Sequence, residues 1–208
     1  SSTSITYNCS IRVWYWDGAG NWTINVSIND TTGAYAENIT TTFQIQSLTA
    51  MNMYPTALTW PTVELGAANQ TSNNDAIRIN NTGNDEIDIG GVSVTGLGVQ
   101  GLTTITDTIG PGNFSVHVFN GSINSSGSST ACTGPNCYEC NGTIMINNTA
   151  APITVANITA GNNSNGTGTG TSGQEELYFC IVRVPSGIAR QTYDTSGGAV
   201  DPWTITIS

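Results

Sequence analysis

The sequence predicts an all-β protein built as an antiparallel sandwich, and three observations predict it. At least ten short segments alternate apolar and polar residues between turns of Gly, Asn, Thr and Ser, the pattern of half-buried strands. No stretch carries a 3.6-residue apolar period over three turns, which excludes helix-covered sheets. Third, Asn-x-Ser/Thr occurs fifteen times, whereas 23 Asn and 51 Ser or Thr in 208 residues produce about six by accident. Such sequons mark surface positions of a secreted chain.

The first segments form an amino-terminal block, residues 1–50. "ITYNCSIRVWYWD" places Ile5, Tyr7, Cys9, Ile11, Val13 and Tyr15 on one parity and Arg12, Trp14 and Trp16 on the other. A strand apolar on both faces is either central in a packed protein or a binding edge. After the turn "DGAGN" comes "NWTINVSINDT", with sequons at Asn21, Asn25 and Asn29 alternating with Trp22, Ile24, Val26 and Ile28. On a strand the asparagines share one face, and four residues of rise, roughly 13 Å, separate successive sugars. "NITTTFQIQSL" follows, where Asn38 is out of parity with Ile39, Phe43 and Ile45. About three strands in this block cannot close a sandwich, which takes ≈ 100 residues and seven strands. They are expected to borrow partners from the rest of the chain or from another subunit.

The main unit, residues 51–208, is expected to start at a hinge in "TAMNMYP" (49–55). Parity puts Asn80 outside Ile77 and Ile79, Asn113 before Phe114, Val116 and Val118, and Asn141 and Asn147 opposite Ile144 and Ile146. Asn8 is likewise out of phase with its strand, while Asn69, Asn120, Asn124, Asn162 and Asn165 fall in loops. Asn157 shares parity with Ile153 and Val155, so it is expected past a strand end and is the sequon expected to be least occupied. "NGSINSSGSST" (120–130) and "GNNSNGTGTGTSGQ" (161–174) read as long glycosylated loops whose composition builds no core.

Composition narrows the function. Charged residues are 9% of the chain and the net charge is −10, with no lysine. That balance opposes nucleic acid and anionic membrane surfaces, and no apolar run approaches the ~18 residues of a membrane span. The start lacks a signal-peptide layout and is read as a mature form. Without lysine, Lys–Asn isopeptide bonds cannot lock subunits together. Cys132, Cys137 and Cys140 in "ACTGPNCYEC", with a distant cysteine, could hold zinc. The sequon-rich context favours disulfides, with Cys180 in "LYFCIVRV" bonded to one of that cluster; five cysteines leave one over.

Chemistry-bearing residues are sparse. His117 is the only histidine, and no nucleophile motif accompanies it. Asp85, Glu86 and Asp88 are candidate calcium ligands, though a turn and a solvated strand explain them as well. "GTGTGTSG" lacks the lysine of a phosphate loop. No catalytic residue, metal or cofactor is expected, and the chain is not expected to be an enzyme.

Two stretches carry a family resemblance. "LTWPTVELGAANQTSNNDAIRINNTGNDEIDIGGVSVTG" (58–96) resembles the opening of immunoglobulin-like β-sandwich domains in secreted archaeal proteins. "WTINVSINDTTGAYAENITTTFQI" (22–45) resembles the last strands of such repeats, joined by an Asp-x-x-Gly turn. Sequon density and acidity further resemble archaeal thread-like filament subunits. That resemblance implies a heavily N-glycosylated, extracellular cell-surface protein whose copies form a homopolymer by strand donation. The expected donor is residues 5–15, with Ile5, Tyr7, Cys9, Ile11, Val13 and Tyr15 as its inserted face. Burying six such side chains yields roughly 9–18 kcal/mol before ordering costs. The alternatives are that this strand pairs inside its own subunit, or that the protein is an adhesin or carbohydrate binder using Trp14, Trp16 or Trp60.

Overall fold

The computed structural model describes residues 6–74, 76–118, 140, 142–154, 156–158, 173–195 and 202–208. Ile5, Asn120, Asn124, Cys132, Cys137, Asn141, Asn162 and Asn165 lie outside the described residues, as do the 120–130 loop and nearly all of 161–174. The described chain is all-β, apart from one 3-10 turn at Pro111–Asn113, and its strand pairs are antiparallel, with one isolated parallel bridge between Gly96 and Asn147.

β1 (Gly20–Asn29) and β2 (Tyr35–Ile45) form a two-stranded hairpin of their own. Its turn is set by Asp30, whose Oδ1 accepts the Thr32 and Ala34 amides and the Thr32 hydroxyl. Gly33, at φ 87°, supplies the left-handed residue that this tight turn requires. The Thr32 hydroxyl and then the Ala34 amide hold the Asp30 carboxyl below its ordinary range.

The remaining strands make a separate body. β3 (Met51–Tyr54), β4 (Ala68–Thr71), β5 (Ile77–Asn81), β6 (Val92–Thr95), β7 (Val99–Gly101) and β8 (Thr108–Ile109) come first. β9 (Phe114–His117), β10 (Thr143–Ile144), β11 (Ala151–Pro152), β12 (Gln174–Arg183), β13 (Tyr193–Asp194) and β14 (Thr204–Ile207) follow. One sheet runs β10-β9-β12-β5-β3, with β4 also on β12; the others are β11-β6-β14 and β13-β7-β8. The stretch expected to be a hinge is therefore mostly strand, since Met51–Tyr54 pairs with Arg78–Asn81.

Alternation explains the core. Ile77 and Ile79 of β5, Phe114 and Val116 of β9, and Leu177, Phe179 and Ile181 of β12 meet Val92 and Val94 of β6 and Ile205 of β14 in one buried cluster. Trp203 lies edge-on to Phe114, with centroids 4.8 Å apart, and donates from its indole to Leu97 O. Trp60 joins the same group against Phe114 and bonds Gln70 O. It packs against the core and is not a free aromatic platform. No residue before Ile77 belongs to the fully buried cluster; Met51 and Met53 only pack against it.

β12 is buried on its second face too. Cys180 and its cross-strand partner Ser115 are nearly inaccessible because Cys140 bridges to Cys180 across them, Cα to Cα 5.1 Å, inside the span a disulfide allows. Cys180 is thus joined to one of the clustered cysteines. Among the described residues Cys9 is unbridged and exposed, and no helix is long and apolar enough to cross a membrane.

Candidate functional site

The residues that stand out lie in the amino-terminal block. Among the described residues, 6–16 pair with no strand, and two of the three strands expected here are seen. Their alternating side chains face solvent: Tyr7 is 72% exposed and Ile11 60%, with Cys9, Val13 and Tyr15 also open. On the other parity Trp14 and Trp16 stack at 4.7 Å, and the Arg12 guanidinium lies 5.0 Å from the Trp14 ring centre.

This arm leaves the molecule through a defined turn. Asp17 N–H donates to Trp14 O, and the Asp17 carboxylate accepts the Trp14 amide at 2.7 Å. The turn is fixed to the body by Asn84, whose side-chain amide donates to Asp17 O and Gln46 O, both at 3.0 Å, while its Oδ1 accepts Leu48 N–H at 2.7 Å. Around it Thr82 N–H bonds Ala50 O, Asn84 N–H bonds Leu48 O, and the Ser47 hydroxyl reaches Asp85 Oδ2 at 2.7 Å. Gly83 is a glycine because a Cβ there would lie 1.9 Å from Leu48 O. In the sequence, Asn81–Asn84 stood out only as part of the family-like stretch 58–96. The signal available was a glycine between two asparagines just after a strand, a layout for side-chain amides that hold a neighbouring chain. Asp85, weighed as a calcium ligand, serves this clamp, and no cluster of three potential metal ligands occurs among the described residues.

The hairpin departs from simple alternation. Trp22 pairs with Phe43 and Ile24 with Thr41, but Val26 pairs with Asn38 and Ile28 with Ala36. Ile39 and Thr40 together oppose Asn25, a bulge on β2. Directly opposed residues share a face, so Asn38 lies on the Trp22–Ile28 side rather than away from Phe43 and Ile45. Its Oδ1 accepts the Thr40 amide and hydroxyl within the bulge. Asn21, Asn25 and Asn29 remain on the other face, where the Asn25 amide donates to Glu37 at 2.7 Å. The apolar side is uncovered: Val26 and Ile28 are each 56% exposed.

Other sequons also move. Met145 faces the core while Ile144 and Ile146 are exposed, inverting the expected parity beside Asn147. Asn157 is exposed between buried Ala156 and Ile158. A turn in which Ala156 N–H bonds Ile153 O resets the alternation there, removing the reason to expect it poorly occupied. Asn69 sits in β4 with φ 56° rather than in a loop, and is exposed. Asn8 is exposed on the unpaired arm. Asn80 is half-buried, its amide donating to Asn52 Oδ1 at 2.7 Å and its Oδ1 accepting from Gln174. Asn113 donates to Gly110 O at 3.3 Å from the 3-10 turn, and its sequon's Ser115 is buried.

Two neighbouring carboxyls at the β5–β12 pairing titrate in opposite directions. Glu175, cross-strand from Ile79, is pushed up by partial burial, offset by the Asn157 amide. Glu176 is held down by the Tyr178 hydroxyl and then by Arg78, 2.7 Å away. Burial lowers His117, which is half-buried at the end of β9. No family model, curated protein or solved structure matches this chain.

Proposed function

We propose that this chain is a structural subunit of an extracellular filament or surface coat, N-glycosylated, whose copies join non-covalently through the amino-terminal segment. The body is read as an immunoglobulin-like sandwich. One observation carries the proposal: residues 6–15 keep an alternating apolar row in solvent while the body buries its core without them. An apolar strand with unpaired main-chain groups is a template for another chain, and strand addition gives main-chain bonds for affinity and alternate side chains for register. Donation from one end of a molecule does not close on itself, so it yields open polymers. The Cys140–Cys180 bridge fits an oxidising, extracellular setting, and fifteen sequons with a net charge of −10 fit a sugar-coated surface.

The adhesin or carbohydrate-binding reading loses support from Trp60, which packs on Phe114 and Trp203. It retains Trp14 and Trp16, although Arg12 and Trp16 already occupy the Trp14 ring. The deciding experiment is deletion of residues 1–15. The full chain is expected to form polymers visible by negative-stain electron microscopy, and the truncated chain a soluble monomer. Polymers from the truncated chain, or a full chain monomeric at high concentration, refute the proposal.

A further inference from the structure

Proposing strand donation leaves the receiving surface open, and the core of the body is closed without an added strand. Its core residues on β5, β6, β9 and β12 are at most 6% exposed with no added strand. The incomplete unit is the hairpin. It is a single layer of two strands, both outer edges lack a partner in the described chain, and no other strand packs closely on it. A two-stranded hairpin alone is at best marginal in water.

Its own arm is not the partner that completes it. The bond from Trp14 N–H to the Asp17 carboxylate and the hold of Asn84 on Asp17 O turn the chain between the arm and β1. Residues 6–16 pair with no strand among the described residues.

We infer that the hairpin of one copy receives the arm of a second copy, which adds along its free edge with its apolar row continuing the Trp22–Ile28 face; the inference rests on the strand-donation reading above. Length supports this occupant. The expected donor, residues 5–15, is long enough to run along all ten residues of β1, roughly 33 Å at strand rise. Size also separates an added strand from a flat cover. The hairpin face spans roughly 300 Å² from strand length and spacing, well short of the ~800 Å² per partner of a stable interface. Flat packing therefore gains too little, whereas an added strand gains main-chain bonds along its whole length as well as the face. The opposite side is reserved for sugars by Asn21, Asn25 and Asn29.

The test compares three full chains, wild type, Val26→Asp/Ile28→Asp and Asn21→Gln, with the 1–15 deletion. Carboxylates on the receiving face are expected to lower polymer yield by about tenfold, since each removes an apolar cross-strand pair with the added strand. Asn21→Gln, on the sugar side, is expected to polymerise normally. Thermal unfolding of the double variant's monomer, followed through the body, should match wild type, which excludes misfolding as the cause. If the deletion blocks assembly but Val26→Asp/Ile28→Asp assembles normally, donation stands and the hairpin is not the receiver. If the deletion itself assembles, the donation reading fails and this inference with it.

Discussion

Gly83→Ala should loosen the join between the amino-terminal block and the body. A Cβ at this position would lie 1.9 Å from Leu48 O, 2.9 Å from Leu48 C and 3.0 Å from Ala50 N. All three are backbone atoms, so no side chain can swing aside. Reaching an ordinary 3.4 Å contact requires a displacement of 1.5 Å at Leu48 O. That movement breaks the Asn84 N–H bond to Leu48 O and the Thr82 N–H bond to Ala50 O, and it disturbs the three Asn84 side-chain bonds. At about 1 kcal/mol net per bond the loss is about 3–5 kcal/mol. Gly83 is not in the left-handed region, so the effect is steric and not one of backbone conformation. The assay is amide hydrogen exchange with urea unfolding. Leu48, Thr82 and Asn84 amides should exchange at least about a hundredfold faster, as ~3 kcal/mol of local stability implies, while β9 and β12 amides keep their protection. Gly112→Ala serves as control, since nothing lies within 4 Å of a Cβ there. If Gly83→Ala exchanges and unfolds like the control, the clamp does not hold the block.

The paired carboxyls give opposite pH signatures. Glu175 has a raised folded pKa, so its ionisation opposes folding and the penalty appears as pH rises through and above the ordinary carboxylate range. Glu175→Gln should raise Tm by about 2–4 °C at pH 7, the size of at most ~1 kcal/mol after solvent screening, and change nothing at pH 3. Glu176 has a lowered folded pKa, so its contribution is present above the ordinary value and disappears as pH falls through the lowered one. Glu176→Gln should cost less than about 1 kcal/mol at pH 7 and nothing near pH 2; equal shifts at both pH values would refute either assignment. Among the described sequons, glycopeptide mapping should find Asn157 more fully occupied than Asn80 or Asn113, whose side-chain amides are engaged; the reverse order would show that the folded geometry does not govern occupancy. Cys140→Ser with Cys180→Ser should cost about 4 kcal/mol by loop entropy for a separation of 40 residues, read as a lower urea midpoint with m raised, since the unfolded state is no longer held compact.

Alternation made the strands of the body legible, because Ile77, Ile79, Leu177, Phe179 and Ile181 follow a period of two and are buried on one side. It failed wherever a single residue shifts the count. The bulge opposite Asn25 moved Asn38 across the hairpin, and the turn at Ile153–Ala156 exposed Asn157. At 144–146 the core selected Met145 over two isoleucines, since the packing partner and not hydrophobicity alone decides which parity turns inward. The clamp at Asn84 was invisible because its partners are main-chain atoms 36 to 67 residues away. Periodicity carries no information about such contacts. The solvent-facing arm agrees with its alternating pattern, and the sequence could not say that it pairs with no strand among the described residues.

The Cys140–Cys180 bridge sets how this chain responds to damage. Every peptide bond between the two cysteines, including those around Asn157, Asn162 and Asn165, lies inside the covalent ring. A protease or hot acid that cut once in that span would leave two pieces still tied together beneath the core strand β12. The cut molecule would run at full size in a gel without reductant and separate only when reduced. A break in that stretch of backbone is a scar and not a loss.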